Sequence, residues 1–230
     1  MIFAYLDLLN VSLSLFLVFF GAVVVALLVG FTFHEFSHAA VATSLGDDTA
    51  RRLGRLSLNP MAHLDPFGAL LLFLAGFGWG KPVPVNPYRL RNGAKAGMAM
   101  VASAGPLANL ALAAVGSFII RAEILPWHSP FVVPATTRFW DRADYAGLFV
   151  SSVIIFNIIL AVFNFLPLAP LDGFRVAVGI LPSDLSQAVA RLEQYGPVLL
   201  LIVIFGIPFF TGQSIILPIA DAVTRFFLGT

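Results

Sequence analysis

From Leu8 to about Leu45 the chain is almost uncharged, and its apolar residues are interrupted mainly by Ser, Thr and one polar cluster, His34-Glu35-Phe36-Ser37-His38. A hydrocarbon core of roughly 30 Å is crossed by ~20 helical residues. The stretch therefore predicts a membrane span that continues past one bilayer thickness. It should end at Gly46-Asp47-Asp48, a charged, turn-forming sequence. Ala96 to about Ile120 and Ala146 to Leu168 predict two further spans. Val198–Phe210 and Ser214–Leu228 are shorter apolar runs parted by Thr211-Gly212-Gln213, and they predict two short or tilted helices.

The connecting segments differ in kind. Residues 67–80 form an apolar, Gly-rich run too short for an ordinary span, which predicts a re-entrant or interfacial piece. Lys81-Pro82-Val83-Pro84-Val85-Asn86-Pro87 cannot be helical, because alternating Pro removes amide donors, so it predicts an extended, β-like edge. Arg121 to Tyr145 reads as an external loop and Leu171 to Glu193 as a polar interlude. The fold class that follows is an all-α polytopic membrane protein. It has five to six transmembrane helices and one re-entrant or extended membrane-associated segment. We expect a single domain over residues 1–230, with a core over about 8–172 and C-terminal helices over about 193–230.

Composition sharpens this picture. Of 230 residues, 59% are hydrophobic and 11% charged, whereas soluble domains run near 45–50% apolar and about 25% charged. Lys and Arg (13) nearly balance Asp and Glu (12), which argues against a nucleic-acid partner. There is no cysteine, so any metal must rest on His, Asp or Glu. Residues 1–10 lack Lys and Arg, so a cleaved signal peptide is not expected there. Basic residues collect after the first span, at Arg51, Arg52, Arg55, Lys81, Arg89, Arg91 and Lys95. The positive-inside rule puts that region in the cytoplasm and the N-terminus outside, in a multi-pass protein of the cell (inner) membrane.

The polar cluster supplies the candidate chemistry. Residues four apart on a helix share a face, so His34 and His38 can offer two imidazoles to one ion. Glu35 lies beside them, able to reach a water on that ion without being a ligand. Ionisable groups inside an apolar span are costly and mark function; a buried polar tie between helices is the bland alternative. Two histidines do not complete a catalytic zinc site, which usually takes three protein ligands. Asp172 follows a helix-breaking stretch, Pro167 to Gly173. It is either a third ligand or an ordinary helix-end charge. Sharing a metal requires His34, His38 and Asp172 to lie at one depth, hence an even number of crossings between them. The spans near 96–120 and 146–168 supply two, provided that 67–80 does not cross.

These residues fall into motifs that resemble the site-2 proteases, a family of intramembrane zinc metalloproteases. The H-E-x-x-H element is His34-Glu35-Phe36-Ser37-His38. The N-x-x-P-x-x-x-L-D-G element is filled by Asn164, Pro167, Leu171, Asp172 and Gly173, and G-P-x-x-N by Gly105, Pro106 and Asn109. The resemblance implies a three-helix catalytic core and one Zn2+ per chain, with Asp172 as its third ligand beside His34 and His38. It also implies transmembrane protein substrates, a compact form without PDZ or CBS domain, and Asn164 as a contact to substrate backbone. On the residues alone, Glu35 is the general base. Asn109 is either a second substrate amide or an inter-helix tie, and Val83 and Val85 are positions where an unwound substrate can pair as an added strand. His63 could approach the site from the cytoplasmic loop, though a surface or capping role is expected ahead of ligation; His128 is expected in the external loop, and Arg175 as an anchor on the inner side. Rival readings are a metal transporter, disfavoured because the last apolar segments hold almost no ionisable residues, and a membrane metalloenzyme acting on lipid or another small substrate.

Overall fold

The structure is a computed structural model that describes residues 9, 11–75, 78–132, 137 and 139–229. Its first helix, α1, is Leu13–Ser44. The Ser12 hydroxyl accepts a hydrogen bond from the Leu15 amide (3.4 Å) and caps its N-terminus. Past its end the Asp47 amide bonds back to the Ala42 carbonyl, and Gly46 takes a positive φ of 103°, a conformation that side chains resist. The helix thus stops at the turn that the sequence marks.

A single helical turn, Thr49–Arg52, leads through a loop to α2, Pro66–Ala75. Ten residues at 1.5 Å each make α2 about 15 Å long, half a hydrocarbon core. Gly76 and Phe77, within the segment expected to be re-entrant, lie outside the described residues. Residues 81–86 form no ladder, and among the described residues the β-like expectation reduces to one isolated antiparallel bridge, Leu64 to Gly80. Pro82 and Pro84 have no amide hydrogen to donate.

Helix α3 is Ala94–Arg121, with Pro106 inside it, and α4 is Arg142–Asn164. Both match expected spans, but α4 starts and ends four residues earlier than its apolar run. A capping box explains the start. Asp141 accepts from the Ala143 and Asp144 amides, and Asp144 accepts from the Asp141 amide. Residues 172–193 correct the sequence reading: the polar interlude is helical, with α5 at Asp172–Ile180 and the start of α6 at Ser183. Both are amphipathic, and hydropathy alone takes such a pattern for a loop.

Helix α6 runs Ser183–Thr211 through a π-turn at Ile202–Gly206, and α7 is Ile216–Leu228. Four described helices are long and apolar enough to cross a membrane: α1, α3, α4 and α6. Five to six were expected. One of the expected spans, Ser214–Leu228, is α7, whose 13 residues reach only about 20 Å.

Helices α1, α3 and α4 pack against one another, α5 packs on α3, and α7 lies on α4 and α3. Leu15, Phe19, Val23 and Ala26 of α1 meet Leu148 and Phe156 of α4. On the other flank Ala113, Ile154, Ile158, Val162 and Ala220 form a second cluster. In the most apolar stretch of α4, 61% of residues are buried, against 11% in α6. So α4 is the central span and α6 stands at the margin.

Asp47 ties the loops to this bundle. Its buried carboxylate accepts from the Thr49 amide (3.2 Å), the Thr49 hydroxyl (2.5 Å) and the Asn86 amide (2.6 Å). Burial opposes its ionisation, but these hydrogen bonds from Thr49 and Asn86 prevail and hold the carboxyl below the usual carboxylate range. The irregular segment 81–86 is thereby pinned to the end of α1. Arg55 adds bonds to the Lys81 and Pro82 carbonyls.

Candidate metal centre

His34 and His38 lie one turn apart on α1, both buried, with their rings 4.7 Å apart and nearly perpendicular. The first turn of α5 brings Asp172 to them. Its Oδ2 lies 3.0 Å from His34 Nε2 and 3.2 Å from His38 Nε2. One ligand atom from each residue falls within 4.8 Å of the others. Donor atoms around a tetrahedral zinc at 2.0–2.1 Å stand ~3.3 Å apart, so these three already have the right spacing.

The protonation pattern identifies what the cluster would hold. His38 Nδ1 lies 2.7 Å from the Val101 carbonyl oxygen, which can only accept, so the ring hydrogen sits on Nδ1. His34 Nδ1 lies 2.8 Å from Asn109 Oδ1. The amide nitrogen of Asn109 is committed to the Gly30 carbonyl and to Asn157 Oδ1, each at 3.0 Å, so His34 also carries its hydrogen on Nδ1. In their neutral form both imidazoles would then turn Nε2 lone pairs toward Asp172 Oδ2, a carboxylate oxygen that is buried and has no hydrogen bond. In that form three lone pairs converge with no proton among them, an arrangement that a bound cation stabilises.

Gly105 of α3 leaves the room that a cation needs. A Cβ there would stand 2.5 Å from His38 Nε2 and 2.6 Å from His34 Nε2. The donor set of two imidazoles and one carboxylate suits zinc and leaves a position open for another ligand. Glu35 is buried at 9% exposure, within electrostatic reach of His34, His38, Asp172 and His63. It is not one of the three converging residues.

The other residues singled out by sequence divide. Asn109 is fully buried, and both its amide hydrogens and its oxygen are engaged. It meets His34 Nδ1 and joins α1 to α4, the bonds expected of an inter-helix tie. Asn164 is half-buried at the end of α4 and donates to the Leu160 carbonyl (3.0 Å). Val83 and Val85 are half-buried, and Val85 packs against Ala42, Leu90 and Val101.

His63 is not at the surface but fully buried. Its Nε2 donates to the Ser57 carbonyl (2.7 Å), while Nδ1 has no partner. The Asn59 side chain, which accepts from the Met61 amide, starts the 3-10 turn that folds the loop over this ring. His128 pairs with Asp144 at the start of α4, and Arg175 is exposed. Asn157 and the Val101 carbonyl were not anticipated. Asn157 could have been found as a lone amide in the apolar run Ile154-Ile155-Phe156-Asn157-Ile158.

No protein-family model and no solved structure matches the chain. Among curated proteins, "Putative zinc metalloprotease YwhC" of Bacillus subtilis is 39% identical over 199 residues, covering 86% of this chain and 85% of that protein. "Putative zinc metalloprotease Rip2" of Mycobacterium tuberculosis is 30% identical over 84% of this chain and 70% of its own length. The Rip2 of Mycolicibacterium smegmatis is 28% identical over 77% of this chain, and the match spans 64% of that protein. Convergent zinc-type donors and this extent of similarity agree: the chain belongs to the zinc metalloprotease family that YwhC and Rip2 represent.

Proposed function

We propose that this protein is an intramembrane zinc metalloprotease of the site-2 type, which hydrolyses peptide bonds in transmembrane protein substrates. The observation that carries the reading is the convergence of two bare Nε2 atoms and one unpartnered carboxylate oxygen, buried among apolar helices long enough to cross a bilayer. One zinc would be held by His34, His38 and Asp172. Bound there, it supplies Lewis acidity, polarising a carbonyl and bringing the pKa of a water toward ~7.

The chain's own groups do the rest. Glu35 takes a proton from the attacking water as its oxygen bonds to the carbonyl carbon. It returns that proton to the amide nitrogen as the C–N bond breaks, so the protons balance over the cycle. The buried setting keeps bulk water from the base. A helical substrate must unwind first, and the pinned segment around Val83 and Val85 is where its extended backbone would pair, with Asn164 as a further contact. The N-terminus is assigned to the outside of the cell membrane and Arg51–Lys95 to the cytoplasm, which puts the centre near the inner side.

The deciding experiment compares wild type with Glu35→Gln on single-span substrates in detergent or liposomes. Glu35→Gln should keep one zinc per chain and lose ~10²–10⁴-fold in cleavage rate. Zinc retained with wild-type cleavage would falsify the assignment of the base. Val83→Pro with Val85→Pro should abolish cleavage with zinc content intact, and retained cleavage removes the pairing role. Accessibility tagging near Arg91 reads the orientation.

A further inference from the structure

We propose that Asn157, in the room left by Gly30, sets the metal affinity of the centre by acting through Asn109 on His34. Asn157 lies in the middle of α4 and is fully buried among apolar side chains, where an unpaired amide is costly. Both ends of its amide are engaged. Nδ2 donates to the Val153 carbonyl (2.9 Å), and Oδ1 accepts from Asn109 Nδ2 (3.0 Å). The other Asn109 hydrogen goes to the Gly30 carbonyl, one turn before His34.

Two acceptors, on α1 and α4, therefore hold the Asn109 amide in one orientation, with its oxygen facing His34 Nδ1. The flipped amide would present hydrogens to Nδ1 and drive the ring hydrogen to Nε2, the nitrogen a metal must use. Asn157 is thus the outer end of a hydrogen-bonded line that keeps His34 Nε2 bare. Partners of this kind fix both the tautomer and the ring direction of a ligating histidine.

Gly30 makes the line possible. A Cβ at Gly30 would stand 2.6 Å from Asn157 Oδ1 and 3.2 Å from Asn109 Nδ2. Any side chain at 30 pushes the two amides apart without removing a polar group. Two unrelated substitutions, Asn157→Ala and Gly30→Ala, therefore perturb the same line.

The inference rests on the metal reading of His34, His38 and Asp172, and not on proteolysis. The test is zinc affinity of the full chain in detergent, by competition with a chromogenic chelator, alongside the thermal midpoint of the metal-free protein. Asn109→Ala should weaken zinc ~10- to 100-fold. Asn157→Ala and Gly30→Ala should each weaken it about tenfold, the lower end of the range for such partners. The double variant Asn109→Ala/Asn157→Ala should be no weaker than Asn109→Ala, because Asn157 acts through Asn109. Ser152→Ala, also buried on α4 but bonded only to the Leu148 carbonyl, should leave zinc affinity unchanged.

If Asn157→Ala lowers the metal-free midpoint but binds zinc as wild type does, Asn157 is only a tie between helices and the inference is wrong. Full additivity in the double variant overturns it too. Should Asn157→Ala not fold, Gly30→Ala gives the answer by the same zinc measurement. A wild type that binds no zinc removes the metal reading and this inference together. Zinc-loaded wild type without proteolysis, with the variants ordered as above, supports the inference and rejects only the proteolytic reading.

Discussion

Among the described residues histidine meets aspartate in two places, and the two are built differently. At the start of α4, His128 Nε2 lies 2.9 Å from Asp144 Oδ1, with the ring packed 4.3 Å from Trp140. Both side chains are partly exposed, and one histidine meets one carboxylate oxygen. Asp144 already serves as a cap, accepting from the Asp141 amide. In the His34–His38–Asp172 centre two buried imidazoles meet one carboxylate, and both Nδ1 hydrogens are spent elsewhere, on Asn109 and on the Val101 carbonyl. A short His–Asp distance is thus no mark of a metal site. What distinguishes the two is where the ring hydrogen goes. An imidazole whose hydrogen points at the carboxylate makes an ion pair or hydrogen bond, and one whose hydrogen points away offers a lone pair.

That contrast can be broken most sharply at its acids. Asp172→Ala should take zinc from one per chain to near none, because only two of the usual three ligands remain. Asp144→Ala should leave zinc unchanged. Metal analysis of the purified variants checks both, and equal loss in the two would end the distinction. The next largest effect is expected at Gly105→Ala. Gly to Ala inside a helix usually stabilises by roughly 0.5–1 kcal/mol. Here the new Cβ meets both Nε2 atoms, and overpacking costs about 1–3 kcal/mol. Zinc affinity should fall roughly 5- to 150-fold, and the metal-free protein should melt somewhat lower than wild type, because the new Cβ meets the same ring nitrogens without the ion. Unchanged zinc affinity would mean that the room above Gly105 is not where the cation sits.

Away from both pairs, Asp47→Ala should lower stability by about 1–2 kcal/mol, since it leaves the half-buried Thr49 and Asn86 donors without their acceptor. Because the folded-state pKa of Asp47 is depressed, its contribution is present above the unfolded carboxylate value of about 3.9. It is lost as pH falls below that toward the folded value. Denaturant melts at pH 7 and pH 3 should therefore converge for wild type and Asp47→Ala, and an equal gap at both pH values would contradict this. The smallest change is expected for His128→Gln. A partly exposed pair contributes about 0–1 kcal/mol, so thermal stability should move little and zinc content not at all. Loss of zinc in this variant would show the two His–Asp sites to be coupled.

Sequence carried the long elements well. The ends of α1 and α3 fall where apolar runs meet Gly46 and Arg121, because membrane-length helices are defined by continuous hydropathy. It failed where hydropathy alternates. Residues 172–193 read as a polar interlude, yet they hold amphipathic helix, and Asp172–Ile180 packs on α3. At His63 the sequence left a surface place and an approach to the site both open, and burial removes the surface place. The start of α4 was missed for a local reason: Asp141 and Asp144 are three apart, the spacing of a capping box, and a hydropathy profile ignores it.

By itself, then, the sequence determined that His34 and His38 share a helix face with Glu35 beside them, since a helical period of 3.6 residues is enforced by local backbone bonds. It also determined that such residues sit in chain apolar enough for a bilayer. Only the tertiary structure decided which ring nitrogens meet hydrogen-bond acceptors, that Asp172, which the motifs had singled out, comes within 3.2 Å of both rings, and that Asn157 stands behind Asn109. Those facts depend on how α1, α3, α4 and α5 pack, and residues far apart in the chain meet by packing rather than by any local periodicity.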